Sequence, residues 1–177
     1  MTNRAVISLG SNIDKEKNLP TAIKMIGSKC RIVAVSSIYE TAPASQKEQA
    51  KFWNAAVLIE TELGPADLRE LILTPIETKL NRIRTADKYA SRTIDVDLTL
   101  FNDEIIDLDK THHLPDPDLL RFIHVAKPVS DLIPDARHPE SGQSFEKIAM
   151  MLENAMEMEE RQSLKKVSEV DLRKLLS

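Results

Sequence analysis

The chain has 177 residues, a single cysteine and a formal charge of −4, from 24 Lys+Arg against 28 Asp+Glu. That length suits one domain with a full core and no need of disulfides or structural metals. The acidic balance argues against bulk binding to nucleic acid or an anionic membrane surface. Cys30 alone can form no intrachain disulfide and reads as a small apolar core residue. The first apolar run, Ala5 to Leu9, is too short for a signal-peptide core or a membrane span, and no later window reaches about 18 uninterrupted apolar residues. A cytoplasmic protein acting on small molecules is expected, with neither nucleic acid nor membrane as partner.

Ala5-Val6-Ile7-Ser8-Leu9 predicts a first strand, stopped by Gly10-Ser11-Asn12. Leu19, Ile23 and Ile26 then repeat at helical spacing up to Gly27. Ile32 to Thr41 and Phe52 to Leu63 are β-prone runs separated by the polar segment Ala44 to Lys51, which reads as two antiparallel strands on a long loop. After Gly64-Pro65, the apolar positions Leu68, Leu71, Ile72, Ile76 and Leu80 predict a second amphipathic helix, with Pro75 kinking or breaking it near Thr74. A polar loop from Asn81 to Ser91 leads into the strand Arg92-Thr93-Ile94-Asp95-Val96-Asp97-Leu98-Thr99-Leu100-Phe101. The order β-α-β-β-α-β implies an α+β fold, an antiparallel sheet with two helices on one face.

Leu114 to Pro139 holds five prolines and is expected to wrap this core in short turns, with Asp118 to Arg121 as one turn of helix. The core is placed at about residues 1–145 and a helical tail at 146–177. In the tail Ile148, Met151, Leu152, Ala155 and Met158 or Glu159 fall on one helical face, and Ser168 with Asp171 makes a weak capping box ahead of Leu172, Leu175 and Leu176.

The chemistry centres on Asp95 and Asp97. Strand side chains alternate, so the two carboxylates share a face with Cα atoms about 6.5 Å apart. Like charges on an apolar strand need a metal, arginines or open solvent. Asp-x-Asp occurs in several kinds of metal-dependent phosphate and sugar chemistry, so its neighbours decide. With four glycines in all, the chain offers neither the P-loop nor the dinucleotide fingerprint. Phosphates would then be met by metal and by the arginines and lysine around the pair: Arg82, Arg84, Lys88 and Arg92. Phe52 and Asn54, two apart on a strand, offer a flat surface and an amide that both donates and accepts, which suits a planar heterocycle.

Taken together, these segments resemble the 6-hydroxymethyl-7,8-dihydropterin pyrophosphokinase family. The resemblance runs through Ile7 to Asn12, Ser37 to Pro43, Phe52 to Val57, Ile76-Glu77 with Arg82 and Arg84, Arg92 to Asp97, Asp131 to Pro134 and His138-Pro139. It implies a ferredoxin-like core and pyrophosphoryl transfer from ATP to a pterin alcohol, with two Mg²⁺ on Asp95 and Asp97. It further implies a pterin held at Asn54, stacked on Phe52 and enclosed by Thr41, Ala42 and Pro43. Arg82 and Arg92 would act on the phosphates, with Arg84, Glu77 and Lys88 on the ATP side. The chain departs from the family pattern in having Ala90-Ser91 where Gly-Pro usually precedes the motif arginine. It also has Asp116 where a nucleotide-contacting histidine is common, leaving His112 and His113 as neighbouring candidates for that role. His124 stands where a phenylalanine commonly covers the second pterin face. A nucleotidyltransferase releasing pyrophosphate, and a non-catalytic pterin or nucleotide binder, are the rival readings.

Overall fold

A computed structural model describes residues 2–43, 49–83, 85–87, 90–168, 170–172 and 174. The elements are β1 (Asn3–Ser11), α1 (Lys15–Gly27), β2 (Arg31–Val35), β3 (Ile38–Thr41), β4 (Phe52–Thr61), α2 (Pro65–Leu68), a π-helical turn (Arg69–Leu73), α3 (Thr74–Lys79) and β5 (Asp95–Phe101). They continue with β6 (Ile106–Asp107), β7 (His113–Leu114), a 3₁₀ turn (Pro117–Leu120), α4 (Ile123–Leu132), α5 (Phe145–Ala155), α6 (Met158–Ser163) and β8 (Lys165–Val167).

The main sheet runs β5-β1-β4-β3-β8, with β2 also on β4. Its pairings are antiparallel. The fourth-first-third-second order expected of a ferredoxin-like β-α-β-β-α-β core is therefore present, its second strand divided into β2 and β3. The division falls at Ser36-Ser37, where Ser36 Oγ accepts the Ala56 N–H at 2.8 Å. Residues 32–41, one β-prone run in the sequence, thus become two strands. The helical run stays continuous past Pro75, but its α-helical pattern is interrupted where the proline predicts, a π-helical turn (Arg69–Leu73) separating α2 from α3, which starts at Thr74. The lost N–H is absorbed by the wider π-helical turn just before it, and the helix runs on to Lys79.

β1, an interior strand between β5 and β4, is buried on both faces, which is why Ala5 to Leu9 reads as a nearly unbroken apolar run. On one face Ile7, Leu9 and Val57 meet Leu19, Ile23 and Leu68 from the flanking helices. On the other, Val6, Ala56 and Leu58 meet Ala126 and Val129 of α4 and Ile148 of α5. The second layer corrects the sequence reading in two respects. The proline-rich segment contains the ten-residue helix α4, with Pro128 inside it. In α5 the buried positions are Phe145, Ile148 and Ala149, while Met151 is exposed. The tail is also not wholly helical: β8 extends the sheet beyond β3, and Leu172 is buried against the core.

α4 is tied to β3 by polar contacts as well. The Tyr39 hydroxyl donates to Asp131 Oδ1 at 2.8 Å and the Ser37 N–H to Oδ2 at 3.1 Å. Burial and the Asp131 carboxylate push the Tyr39 hydroxyl far above its usual range. Tyr39→Phe keeps the ring and removes this bond, and should cost about 1–2 kcal/mol in urea unfolding.

Candidate active site

Sheet register assembles the polar residues. Gly10 on β1 lies opposite Asn54 on β4 and Asp95 on β5. Two residues earlier Ser8 lies opposite Ala56 and Asp97. Because side chains alternate, all of these share the α4 side of the sheet. α4 and α5 cover Val6, Ala56 and Leu58 on that side, and the row at Ser8 and Gly10 borders a cavity of about 440 Å³. A Cβ on Gly10 would stand 3.4 Å from Asn54 Oδ1 and 4.0 Å from Asp95 Cβ, so glycine keeps the floor open between the amide and the carboxylate.

Thr41, Ala42, Phe52, Asn54, Arg92, Asp95, Asp97 and His124 all line this cavity. Asn54 is 5% exposed, and its Nδ2 donates to Thr41 Oγ1 at 3.0 Å and to the Tyr39 carbonyl at 3.3 Å. Asp95 is half-buried and pairs with two guanidinium groups: directly with Arg92 and, at 3.5 Å, with Arg82. Two cations thus offset one carboxylate of the acidic strand, and Asp97 is exposed to solvent. The Arg92 guanidinium also lies over the Phe52 ring, 5.7 Å from its centroid.

Glu77 occupies a different place from the cavity residues. It is 4% exposed on α3, and its Oε1 accepts the Val96 N–H at 3.1 Å, gripping the acidic strand between its two aspartates. Arg82 is held nearby, its backbone N–H donating to the Glu77 carbonyl at 2.9 Å.

The facing wall comes from the segment before and at the start of α4: Asp116, Asp118, Arg121, Phe122, His124 and Val125. Asp116 Oδ1 accepts the Asp118 N–H at 2.9 Å, capping the 3₁₀ turn, and burial pushes the Asp116 carboxyl above its ordinary value. His124 stacks on Phe122 with ring centroids 5.3 Å apart and planes 27° from parallel. Burial pushes its imidazole below the ordinary 6.5, so the ring is neutral near pH 7. The sequence reading did not find Ser8, Asp118, Arg121 or Phe122. The only local cue was a charged and aromatic pair after a short turn, since the proline-rich segment has no strand or helix period to assign a face.

Other candidates lie elsewhere. Pro43, Arg82, His112 and His113 are not among the cavity-lining residues, and Arg84 and Lys88 lie outside the described residues. His112 bonds Asp109 through Nδ1 at 2.7 Å and Arg69 through Nε2 at 3.0 Å. His113 joins Asp107 at 2.7 Å and Glu140 at 2.9 Å, using both ring nitrogens. Both histidines are engaged by carboxylates of the β6–β7 hairpin and its neighbours, and His112 lies near enough to Asp116 for its charge to act on that carboxyl. The Asp107 and Glu140 carboxylates raise the His113 pKa above 6.5. A raised folded-state pKa stabilises below the unfolded value and is lost as pH rises through the folded one. An NMR titration should therefore give His113 a midpoint above 6.5, and His113→Gln should remove the loss of hairpin stability expected as pH rises through that midpoint.

Asp95 and Asp97 supply hard oxygen donors on one face, as Mg²⁺ prefers. Among the described residues no group of three or more His, Cys, Asp or Glu could by itself hold a metal. Two carboxylates completed by substrate phosphates and water fit the usual habit of Mg²⁺.

The 7,8-dihydro-6-hydroxymethylpterin-pyrophosphokinase family model matches residues 6–134, from β1 through α4. The chain belongs to this pyrophosphokinase family. It is 38% identical over 135 residues to the 2-amino-4-hydroxy-6-hydroxymethyldihydropteridine pyrophosphokinase of Bacillus subtilis, covering 75% of this chain and 79% of the relative. The enzyme of the same name from Pseudomonas aeruginosa is 31% identical over 143 residues, covering 79% and 86%. A Plasmodium falciparum HPPK-DHPS crystal structure superposes with a TM-score of 0.73 at 15% identity, over 94% of this chain and 49% of that one. That likeness is one of fold, and this pyrophosphokinase spans about half the Plasmodium chain. Membership makes the protein a transferase, a pterin pyrophosphokinase. No helix among the described residues is long and apolar enough to cross a membrane.

Proposed function

We propose that the protein transfers the β,γ-pyrophosphoryl group of ATP to 6-hydroxymethyl-7,8-dihydropterin, forming the pterin diphosphate and AMP for folate synthesis. The observation carrying this reading is the cross-strand row Asn54, Gly10 and Asp95, which sets a buried amide and an arginine-paired carboxylate on one cavity floor. Asn54 would pair with the edge of the pterin, Phe52 would stack on one ring face, and Thr41 with Ala42 would close the pocket. His124 on its Phe122 platform would lie over the other face, a neutral imidazole replacing a phenyl ring.

The pterin hydroxymethyl oxygen would attack the β-phosphorus in line. The bond from that phosphorus to the α-phosphate bridging oxygen breaks, AMP leaves with the electron pair, and the hydroxymethyl proton passes to water or a phosphate oxygen. Asp95 and Asp97 would hold Mg²⁺, two ions on this reading, and the metal would supply charge compensation to the phosphates. Arg82 and Arg92 would hold phosphate oxygens after exchanging part of their contact with Asp95, so the ion pairs keep the guanidinium groups in place beforehand. Arg84 and Lys88 would add positive charge on the ATP side.

The test is incubation with ATP, Mg²⁺ and hydroxymethyl-dihydropterin, separating nucleotide and pterin products. AMP together with a pterin diphosphate is the expected result. Pyrophosphate release without AMP from that position would favour nucleotidyl transfer, and no product from intact, ligand-binding protein would leave a binder only.

A further inference from the structure

Asn12, at the end of the β1 turn, is 6% exposed, and its carboxamide is used at both ends. Oδ1 accepts the backbone N–H of Arg92 at 2.7 Å. Nδ2 donates to the Ala50 carbonyl and to Ser91 Oγ, each at 3.1 Å. The Asn12 backbone N–H returns to the Arg92 carbonyl at 3.1 Å, and Ser91 Oγ donates onward to Gln49 Oε1 at 3.2 Å.

These bonds join three stretches of chain that carry the cavity. Ala50 lies two residues before Phe52, Arg92 bears the guanidinium on Asp95, and Gly10 forms the floor between Asn54 and Asp95. Only an amide serves at Asn12. A carboxylate has no donor for Ala50 and Ser91, and an aliphatic side chain leaves the Arg92 N–H without its acceptor. Ser91 supplies the hydroxyl that passes the connection across to Gln49, which gives the Ala90-Ser91 departure from the family pattern a physical content. On the cavity side the Arg92 guanidinium over Phe52 spans the same gap. A substitution at Ser91 leaves that contact intact and isolates the hydrogen-bonded link.

We propose that Asn12, acting through Ser91, is a coupling residue that makes the chain position before Phe52 and the position of Arg92 depend on each other. Capture of the heterocycle at one end of the cavity and of the polyphosphate at the other then reinforce one another. The ligand half of this inference rests on the pyrophosphokinase reading, whereas the linkage of the two stretches does not. Linkage requires the reinforcement to be reciprocal, and couplings of this kind are typically about 5- to 150-fold.

The test titrates hydroxymethyl-dihydropterin calorimetrically, with and without Mg²⁺ and α,β-methylene-ATP, into wild type, Asn12→Ala and Ser91→Ala. In wild type each ligand should tighten the other at least about fivefold, and in both variants that factor should fall toward one. Each ligand alone should bind Ser91→Ala within about threefold of wild type. In parallel, hydrogen exchange of the ligand-free proteins reads the Arg92 amide, which should exchange about fivefold faster in Ser91→Ala and in Gln49→Ala, although Gln49 does not bond that amide. Unchanged mutual tightening in Ser91→Ala, or an unchanged Arg92 amide in both variants, overturns the coupling. Wild-type protein that forms no AMP defeats the pyrophosphokinase reading instead, and the exchange result still decides the link.

Discussion

Asp97→Ala is expected to lower Mg²⁺-dependent AMP formation about 10³-fold while leaving the fold intact. Asp97 is exposed on β5, so its removal should change stability by no more than about 1 kcal/mol, the scale of a solvent-exposed polar or charged contact. Asp95 is the less clean target, because its carboxylate also holds Arg82 and Arg92 and its loss would displace both cations. Stopped-time assays of AMP at several Mg²⁺ concentrations, with circular dichroism to verify folding, measure the effect. Full activity in Asp97→Ala would remove the acidic pair from the proposed metal site. A loss that excess Mg²⁺ partly restores is the stronger form of the expected result, since weakened metal binding is a mass-action defect.

Asn54→Ala should lower kcat/KM for the pterin at least about 10²-fold, with the KM for ATP within about twofold of wild type. A polar site built to pair with a heterocycle loses more than one contact when its central amide goes, because the bound ligand's own donors and acceptors are left desolvated and unpaired. The same substitution removes the bonds to Thr41 Oγ1 and the Tyr39 carbonyl, so a stability cost of about 1–3 kcal/mol should accompany it. Asn54→Asp retains the shape and the Oδ1 acceptor but loses both Nδ2 bonds and adds a buried charge, so it reads the structural cost with the acceptor still in place. Steady-state kinetics with each substrate varied reads the effect on the pterin. A pterin KM within about twofold of wild type in Asn54→Ala would place the heterocycle elsewhere.

Much of this architecture is legible in the chain because it is governed by local pattern. The apolar run through Ala5 to Leu9, the helical spacing of Leu19, Ile23 and Ile26, and the alternation through Asp95 and Asp97 each follow from periodicity that a single element imposes. The second layer is less legible. Pro128 inside α4 argues against a helix, yet the packing of Ala126 and Val129 of that helix against the sheet outweighs the local preference. β8 is only three residues long, and its pairing partner β3 lies over a hundred residues earlier, so no local signal announces it.

The acidic strand therefore belongs to the sequence: its type, its alternation and the pairing of Asp95 with Asp97 follow from residues a few positions apart. What the tertiary structure decided is what faces that strand. Asn54, Gly10 and Asp95 meet only through antiparallel register, Phe122 and Arg121 reach the cavity only because α4 packs across the second face, and His112 and His113 are drawn to carboxylates of the β6–β7 hairpin and its neighbours. The physical reason is range. Periodicity fixes which side of an element a residue takes, whereas long-range packing and hydrogen bonding fix which other side is brought against it.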